Sequence, residues 1–277
     1  MMLEPIVTHV AHAGWDEHDY FGHKLFSELA GSESYAGLLA FAVTGRRVSK
    51  DVAAMLDDVA AVVALGEPRI WPLKLTRLGS AYGRTLPGIV VGNLCFETDL
   101  LGPMILGDAA SLFLELEKIA DDQKIIEAVA PRVAKRNVPG FGVPFRDVDE
   151  RLVALVECVK RRGRDQLPHW QFANSAWKTL RAAHGLIPNV AGAIAALFLD
   201  CGFTPAQVGP LLFSLMQSVM LANAFEGAAQ APEVLRQLPD DAIEYVGQAP
   251  RISPRAIALD DLSKKSAVAA NIAVSSA

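Results

Sequence analysis

Few side chains in this 277-residue chain combine acid–base capacity with a spacing that points to a site. His184 stands just before Gly185 and a Pro188-Asn189 pair. Its imidazole can give or take a proton near neutrality, and a histidine before glycine equally suits the end of a helix. Asp108 follows Gly107, where a carboxylate either opens a helix or faces a ligand. In Pro139-Gly140-Phe141-Gly142-Val143-Pro144 the glycines let a ligand approach the backbone; the alternative is a plain structural turn. Arg151 carries a rigid fork of donors matched to a carboxylate, or else begins a helix and pairs with Asp147. Asn189, placed after a proline, is a good helix cap.

Other chemistries find little support. His9, His12, His18 and His23 mingle with Asp16, Glu17 and Asp19, but their spacing matches no ligand motif, so solvated polar residues and no metal are expected. Cys95, Cys158 and Cys201 are odd in number, widely spaced and set among apolar residues, which predicts inert buried thiols. No phosphate-binding loop, no dinucleotide-binding glycine fingerprint and no nucleophile elbow is present.

The elements that must position these residues read almost entirely as helix. Alanine and leucine recur at three- and four-residue spacing, and no stretch alternates long enough to propose a sheet. Thr44-Gly45 stops the helix that begins near Tyr35, Ser49 caps one running from Lys50 to Leu65, and Gly66-Glu67-Pro68 ends it. Another starts near Trp71-Pro72 and carries Leu73, Leu75, Leu78 and Tyr82, with Trp71 expected in the core. Thr204 caps a further helix with Pro205 at its first position. Pro210 to Phe225 is the most apolar stretch and, broken by Ser214, Gln217, Ser218 and Asn223, reads as a core helix. Residues 251–277 change character, with scattered prolines and a small-residue finish, and the last dozen or more are expected to be mobile unless a second subunit holds them.

Composition sets the outer bounds. The length allows one large core or two modest domains. A net charge of −5 without a basic stripe argues against nucleic acid. No membrane span is expected, and the start lacks the basic and apolar blocks of a signal peptide, which predicts a cytoplasmic protein.

Five stretches in order resemble the citrate synthase superfamily. They are Gly22 to Arg46, Leu101-Gly102-Pro103 with Gly107-Asp108-Ala109-Ala110, the Pro139–Pro144 loop with Asp149-Glu150-Arg151, Pro188-Asn189-Val190-Ala191-Gly192, and Tyr245-Val246-Gly247-Gln248-Ala249-Pro250-Arg251, which is similar to an ending found in citryl-CoA lyase-like members. The resemblance implies an all-α fold with a smaller helical domain inserted into a larger one. The implied limits are 1–107 and 205–277 for the large domain and 108–204 for the small, with a cleft between them and homodimers built on helices such as Tyr35–Val43 and Lys74–Leu94.

It also implies roles. Arg151 matches the arginine that holds a substrate carboxylate. Gly140, Phe141 and Gly142 would meet the nucleotide end of coenzyme A, Arg146 lies near the position that serves its phosphate, and Asn189 would touch the cofactor or cap its helix. Family enzymes use two histidines and an aspartate on a thioester enolate, which needs a base at carbon and a donor at oxygen together. Here those positions are Ile105 or Leu106, Val143 and Ala191, while a basic residue and a histidine further on become Met216 and Asn223. Ordinary citrate formation or cleavage is therefore not expected. What remains is a diverged carbon–carbon lyase or synthase acting on a coenzyme A thioester or carboxylate, with His184 or Asp108 as replacement acid or base, or else a non-catalytic homologue that binds a metabolite or partners an active enzyme.

Overall fold

In the computed structural model of the chain the described residues are 5–81, 83–96, 102–143, 146–230, 239–248, 253–255 and 258–259. The helical expectation is met, with one exception at the start. Ala11–Ala13 (β1), His18–Tyr20 (β2) and His23–Lys24 (β3) form a small antiparallel meander in which Ala11 faces Tyr20 and Tyr20 faces His23. Strands of two or three residues are too short to leave an alternating pattern. A π-helical turn, Leu25–Leu29, follows. The Glu17 carboxylate accepts hydrogen bonds from the amides of Phe26 (2.8 Å), Ser27 (2.9 Å) and His18 (2.8 Å), and these donors, Phe26 foremost, hold its carboxyl down to about 2. Tyr20 and Phe21 both rest on Phe41 with ring centroids 5.3 Å apart, which ties the meander to the first helix.

Local signals set most helix ends. Helix α1, Tyr35–Thr44, starts where Ser34 Oγ accepts the Gly37 amide and stops at Gly45 with φ 65°. Helix α2, Lys50–Val62, is capped by Ser49, whose Oγ accepts the Val52 amide at 3.2 Å. Helices α3, Trp71–Ser80, and α4, Thr85–Leu94, pack face to face through glycine. A Cβ added at Gly92 would lie 1.8 Å from Thr76 Oγ1, and one at Gly88 1.9 Å from Ser80 Oγ. Trp71 lies at the start of α3 and is 42% exposed, so the core expectation for it fails: α3 buries Pro72, Leu73, Thr76 and Ser80 on the opposite stripe. Tyr82, expected on the same helix, lies outside the described residues.

The main core is built from α5 (Ile105–Leu116), α6 (Asp122–Ala134), α7 (Glu150–Arg161), α8 (Pro168–His184), α9 (Val190–Asp200) and α10 (Pro205–Leu215) together with α1 and α2. Helix α9 is its axis. It is apolar all round and buried from Gly192 to Leu199, as expected of a helix with neighbours on every side. Thr204 and Gln207 complete a capping box at α10, with Pro205 at its first position. The apolar stretch read as one helix is two: α10 ends at Leu215 with Met216 as its cap, and α11 runs over Gln217–Ala229. Gln217 holds this break, donating to the Phe213 carbonyl at 3.0 Å and sharing a hydrogen bond with Asn93 of α4. By length and composition alone Pro205–Ala229 could cross a membrane, but half of that window is buried. Gly209 lies against Met104 and Gly227 against the backbone of Arg77, so these helices are core elements.

Residues up to 235 form one compact unit. A second unit covers 236–277, of which the described part includes a 3-10 turn at Asp240–Ala242; most of the tail expected to be mobile lies outside the described residues. The cysteines are free, as expected, but half-buried, not buried.

Candidate functional site

The loop after α6 and the N-terminus of α9 form one joined structure. Gly142 N donates to the Ile187 carbonyl at 2.7 Å, Asn189 N donates to the Gly140 carbonyl at 3.2 Å, and Phe141 bridges Pro188 in antiparallel fashion. Asn189 caps α9 by accepting the Gly192 amide at 3.1 Å, and its Nδ2 donates back to the Gly142 carbonyl at 3.0 Å. Both expected glycines have the left-handed backbone that disfavours side chains, φ 84° at Gly140 and 95° at Gly142. The contact is backbone on backbone: a Cβ at Gly192 would sit 2.6 Å from the Gly140 oxygen, and one at Gly140 3.4 Å from Ala109 Cβ on α5. Gly140 and Gly192 are thus explained by close approach, Gly142 by its left-handed backbone with open space around it, and Asn189 by capping, before any ligand is considered.

A buried carboxylate locks this junction to α7. Asp149 caps α7 and is 1% exposed; it accepts the Arg151 amide at 3.0 Å and, through Oδ2, the Val190 amide at 2.8 Å. The Arg151 guanidinium donates Nε to Asp149 Oδ1 at 3.0 Å and Nη2 to Oδ2 at 3.1 Å. The non-ligand partner expected for Arg151 was Asp147; the structure gives Asp149, because the residue that caps a helix is two positions ahead of Arg151 and inside. With its side chain 36% exposed, Arg151 is held by one edge of its fork and has the other toward solvent. Sequence reasoning quoted Asp149 only as part of a motif. Its signal was its place immediately before a charged helical turn, the ordinary N-cap pattern.

The remaining candidates lie apart from that lock. Arg146 is exposed and paired with Glu150. Asp108 is exposed in the first turn of α5 and does not cap it; the cap position is Met104. His184 ends α8 before Gly185, whose φ is 67°, and its Nε2 lies 3.1 Å from the Ile126 carbonyl on α6. A carbonyl only accepts, so Nε2 carries the hydrogen and Nδ1 is the nitrogen left for proton transfer. Leu106 is buried, while Ile105, Val143 and Ala191 are half-buried, and none can donate or remove a proton. Asn223 is 2% exposed and donates to the carbonyls of Gly66 and Val219, each at 2.9 Å. The arrangement can offer backbone groups and one guanidinium edge to a ligand. Among the described residues no three His, Cys, Asp or Glu side chains are set to hold a metal ion.

An ionisable cluster that sequence reasoning passed over occupies the other end of α9. Asp200 accepts the amides of His169 (3.0 Å) and Trp170 (2.8 Å), opening α8, while His169 Nδ1 lies 2.6 Å from Glu117 Oε1 at the end of α5. Burial pushes the Asp200 carboxyl up against the pull of those amides, and pushes the Cys201 thiol to about 11.

No protein-family model and no curated protein sequence matches the chain. Solved structures do. Citryl-CoA lyase from Hydrogenobacter thermophilus superposes with a TM-score of 0.76 at 21% identity, over 92% of this chain and 99% of that one. ATP citrate lyase from Methanothrix soehngenii, solved with citrate and coenzyme A, gives 0.66 at 20% identity over 90% of this chain and 43% of its own. Citrate synthase from Thermoplasma acidophilum, solved with carboxymethyl coenzyme A and oxaloacetate, gives 0.60 at 17% over 79% and 58%. The loop-on-helix junction therefore belongs to a chain with the citrate synthase-like fold.

Proposed function

We propose that the chain binds a coenzyme A thioester or a small carboxylate and performs a diverged carbon–carbon lyase or synthase reaction on it. The observation that carries this reading is the junction itself. Gly140, Phe141, Gly142 and Asn189 hold backbone groups in a fixed array at the start of α9, beside the one free edge of Arg151. The similarity of fold to proteins solved with coenzyme A and carboxylate ligands supports the same assignment. Gly140, Phe141 and Gly142 would serve the nucleotide end of coenzyme A with Arg146 at its phosphate, and Arg151 would hold a carboxylate. His184, through Nδ1, or Asp108 would supply the proton chemistry that Ile105, Leu106, Val143 and Ala191 lack. The loss of those groups suits a reaction in which the enolate forms by bond cleavage, without prior proton removal. In this reading residues 108–204 act as the smaller domain.

Calorimetry of the full chain with coenzyme A, acetyl-CoA, oxaloacetate and citrate, run beside a thiol-release assay, is the test. Binding with turnover supports the enzyme. The apolar replacements favour a second reading, a metabolite-binding homologue without catalysis, which predicts binding without turnover. Absence of binding to every ligand removes both. Arg151→Ala is expected to weaken carboxylate binding by about 2–5 kcal/mol where the bound ligand itself desolvates the free edge of the guanidinium, since truncation then leaves a buried charge unpaired.

A homodimer completes the proposal. Leu86, Val90 and Leu94 form an exposed stripe on α4, and Leu221 with Phe225 forms another on α11. A second copy of the chain is the proposed occupant, and light scattering at micromolar concentration decides it.

A further inference from the structure

A hollow of about 230 Å³ lies between the turn joining α1 to α2 and the turn joining α9 to α10. It is separate from the junction at the start of α9: eleven helical residues at about 1.5 Å each set the two ends of that helix roughly 16 Å apart. Two helices end at this hollow and two begin, so their macrodipoles offset and side-chain charge decides its sign.

That charge is positive and partly uncompensated. Arg46 and Arg47 line the hollow, and among the described residues no carboxylate does. Arg47 is taken by Glu28 and Glu33. Arg46 has no ion pair among the described residues, although the chain carries 31 acidic residues against 26 basic ones. Its backbone is fixed: Arg46 N donates to Thr44 Oγ1 at 3.1 Å, which in turn lies 2.8 Å from the Arg46 carbonyl. Arg164 approaches Cys201, another lining residue, at 3.7 Å from Sγ and likewise has no carboxylate partner among the described residues. Ser49 accepts the Val52 amide and so keeps its own hydrogen to donate. Val48, Val52 and Phe203 supply an apolar wall. With water at about 30 Å³ apiece, the space suits a ligand of several non-hydrogen atoms.

We propose that this hollow binds a small organic oxyanion, a carboxylate or phosphate carried on a short apolar body, with Arg46 as its principal charged partner. A guanidinium without a counter-ion beside an apolar wall matches a ligand that has both features.

Calorimetric titration of the full chain with butyrate, phenyl phosphate, inorganic phosphate and methylammonium tests this. Saturable binding of butyrate or phenyl phosphate is expected, tighter than inorganic phosphate and absent for methylammonium; which of the first two binds tells carboxylate from phosphate. Arg46→Glu should weaken binding by at least about tenfold, the loss of one charge-assisted hydrogen bond. Val52→Trp, which fills the hollow, should do the same with a different liability to folding, and thermal melts of both variants confirm that they fold. The proposal is overturned if none of the oxyanions binds saturably, or if binding survives both substitutions. It is overturned as well if binding is lost on Arg151→Ala alone, which would place the anion at the junction.

Discussion

The two ends of α9 solve the same problem with different chemistry. At the N-terminus the chain uses glycine contacts, an asparagine cap and one buried carboxylate, Asp149, bonded to the backbone and to Arg151. At the C-terminus it uses Asp200 on the amides of α8 and the His169–Glu117 pair. The end proposed to meet a ligand has Asp149 committed to backbone amides and Arg151, and the end with a histidine between carboxylates uses Asp200 to hold α8. Clustered ionisable residues here cap and join helices. At both ends one carboxylate, Asp149 or Asp200, accepts backbone amides.

The comparison breaks most visibly at Asp149. Asp149→Ala removes a helix cap, leaves the buried Val190 amide without its acceptor and strips Arg151 of its partner. A loss of about 3–5 kcal/mol is expected, read as a shift in the denaturation midpoint at constant slope. A loss below about 1 kcal/mol would mean that water replaces the carboxylate and that the N-terminal lock is not one. Gly192→Ala comes next, because the new methyl would meet the Gly140 oxygen; about 1–3 kcal/mol is expected, with the loop shifted away from α9.

Asp200→Ala should cost less, about 0.5–2 kcal/mol, since its effect is that of a lost cap at the start of α8. Glu117→Gln should cost about 0–1 kcal/mol, because the pair with His169 is partly open to solvent. An Asp200 effect as large as that of Asp149 would erase the distinction between the two ends.

The smallest effect is an acid limb confined to the N-terminal meander. Glu17 has its folded carboxyl at about 2, below the ordinary 4.5. A depressed carboxyl contributes stability that is present above the unfolded value and is lost as pH falls through the folded one. The Phe26 and Ser27 amide resonances should therefore stay protected at pH 5 and lose protection between about 4.5 and 2. Glu17→Gln should abolish that window; an unchanged profile would assign it to another group.

Much of this architecture was legible because it is local. Gly45, Ser49, Asn189, Thr204 with Pro205, and Gly185 each announce a helix end through a side chain or a missing one, and the structure uses them so. What was not legible depends on partners far away in sequence. Trp71 reads as core by type, but its helix turns the other stripe inward. The break at Met216 rests on Gln217 meeting Asn93, a contact across 124 residues. The meander leaves no period in strands this short. In the candidate site the loop and its cap could be read, whereas the pairing of Arg151 with Asp149 and the tie of His184 to α6 needed coordinates.

The glycines of α4 carry a consequence for how this surface can change. Gly88 and Gly92 press the inner side of that helix so close to Thr76 and Ser80 that no larger residue fits, while Leu86, Val90 and Leu94 project from the other side and touch little. One helix thus has a side frozen by sterics and a side whose residues can be exchanged with little effect on folding. Mutation can rewrite the outward stripe, and with it whatever the stripe recognises, while the helix itself stays where it is.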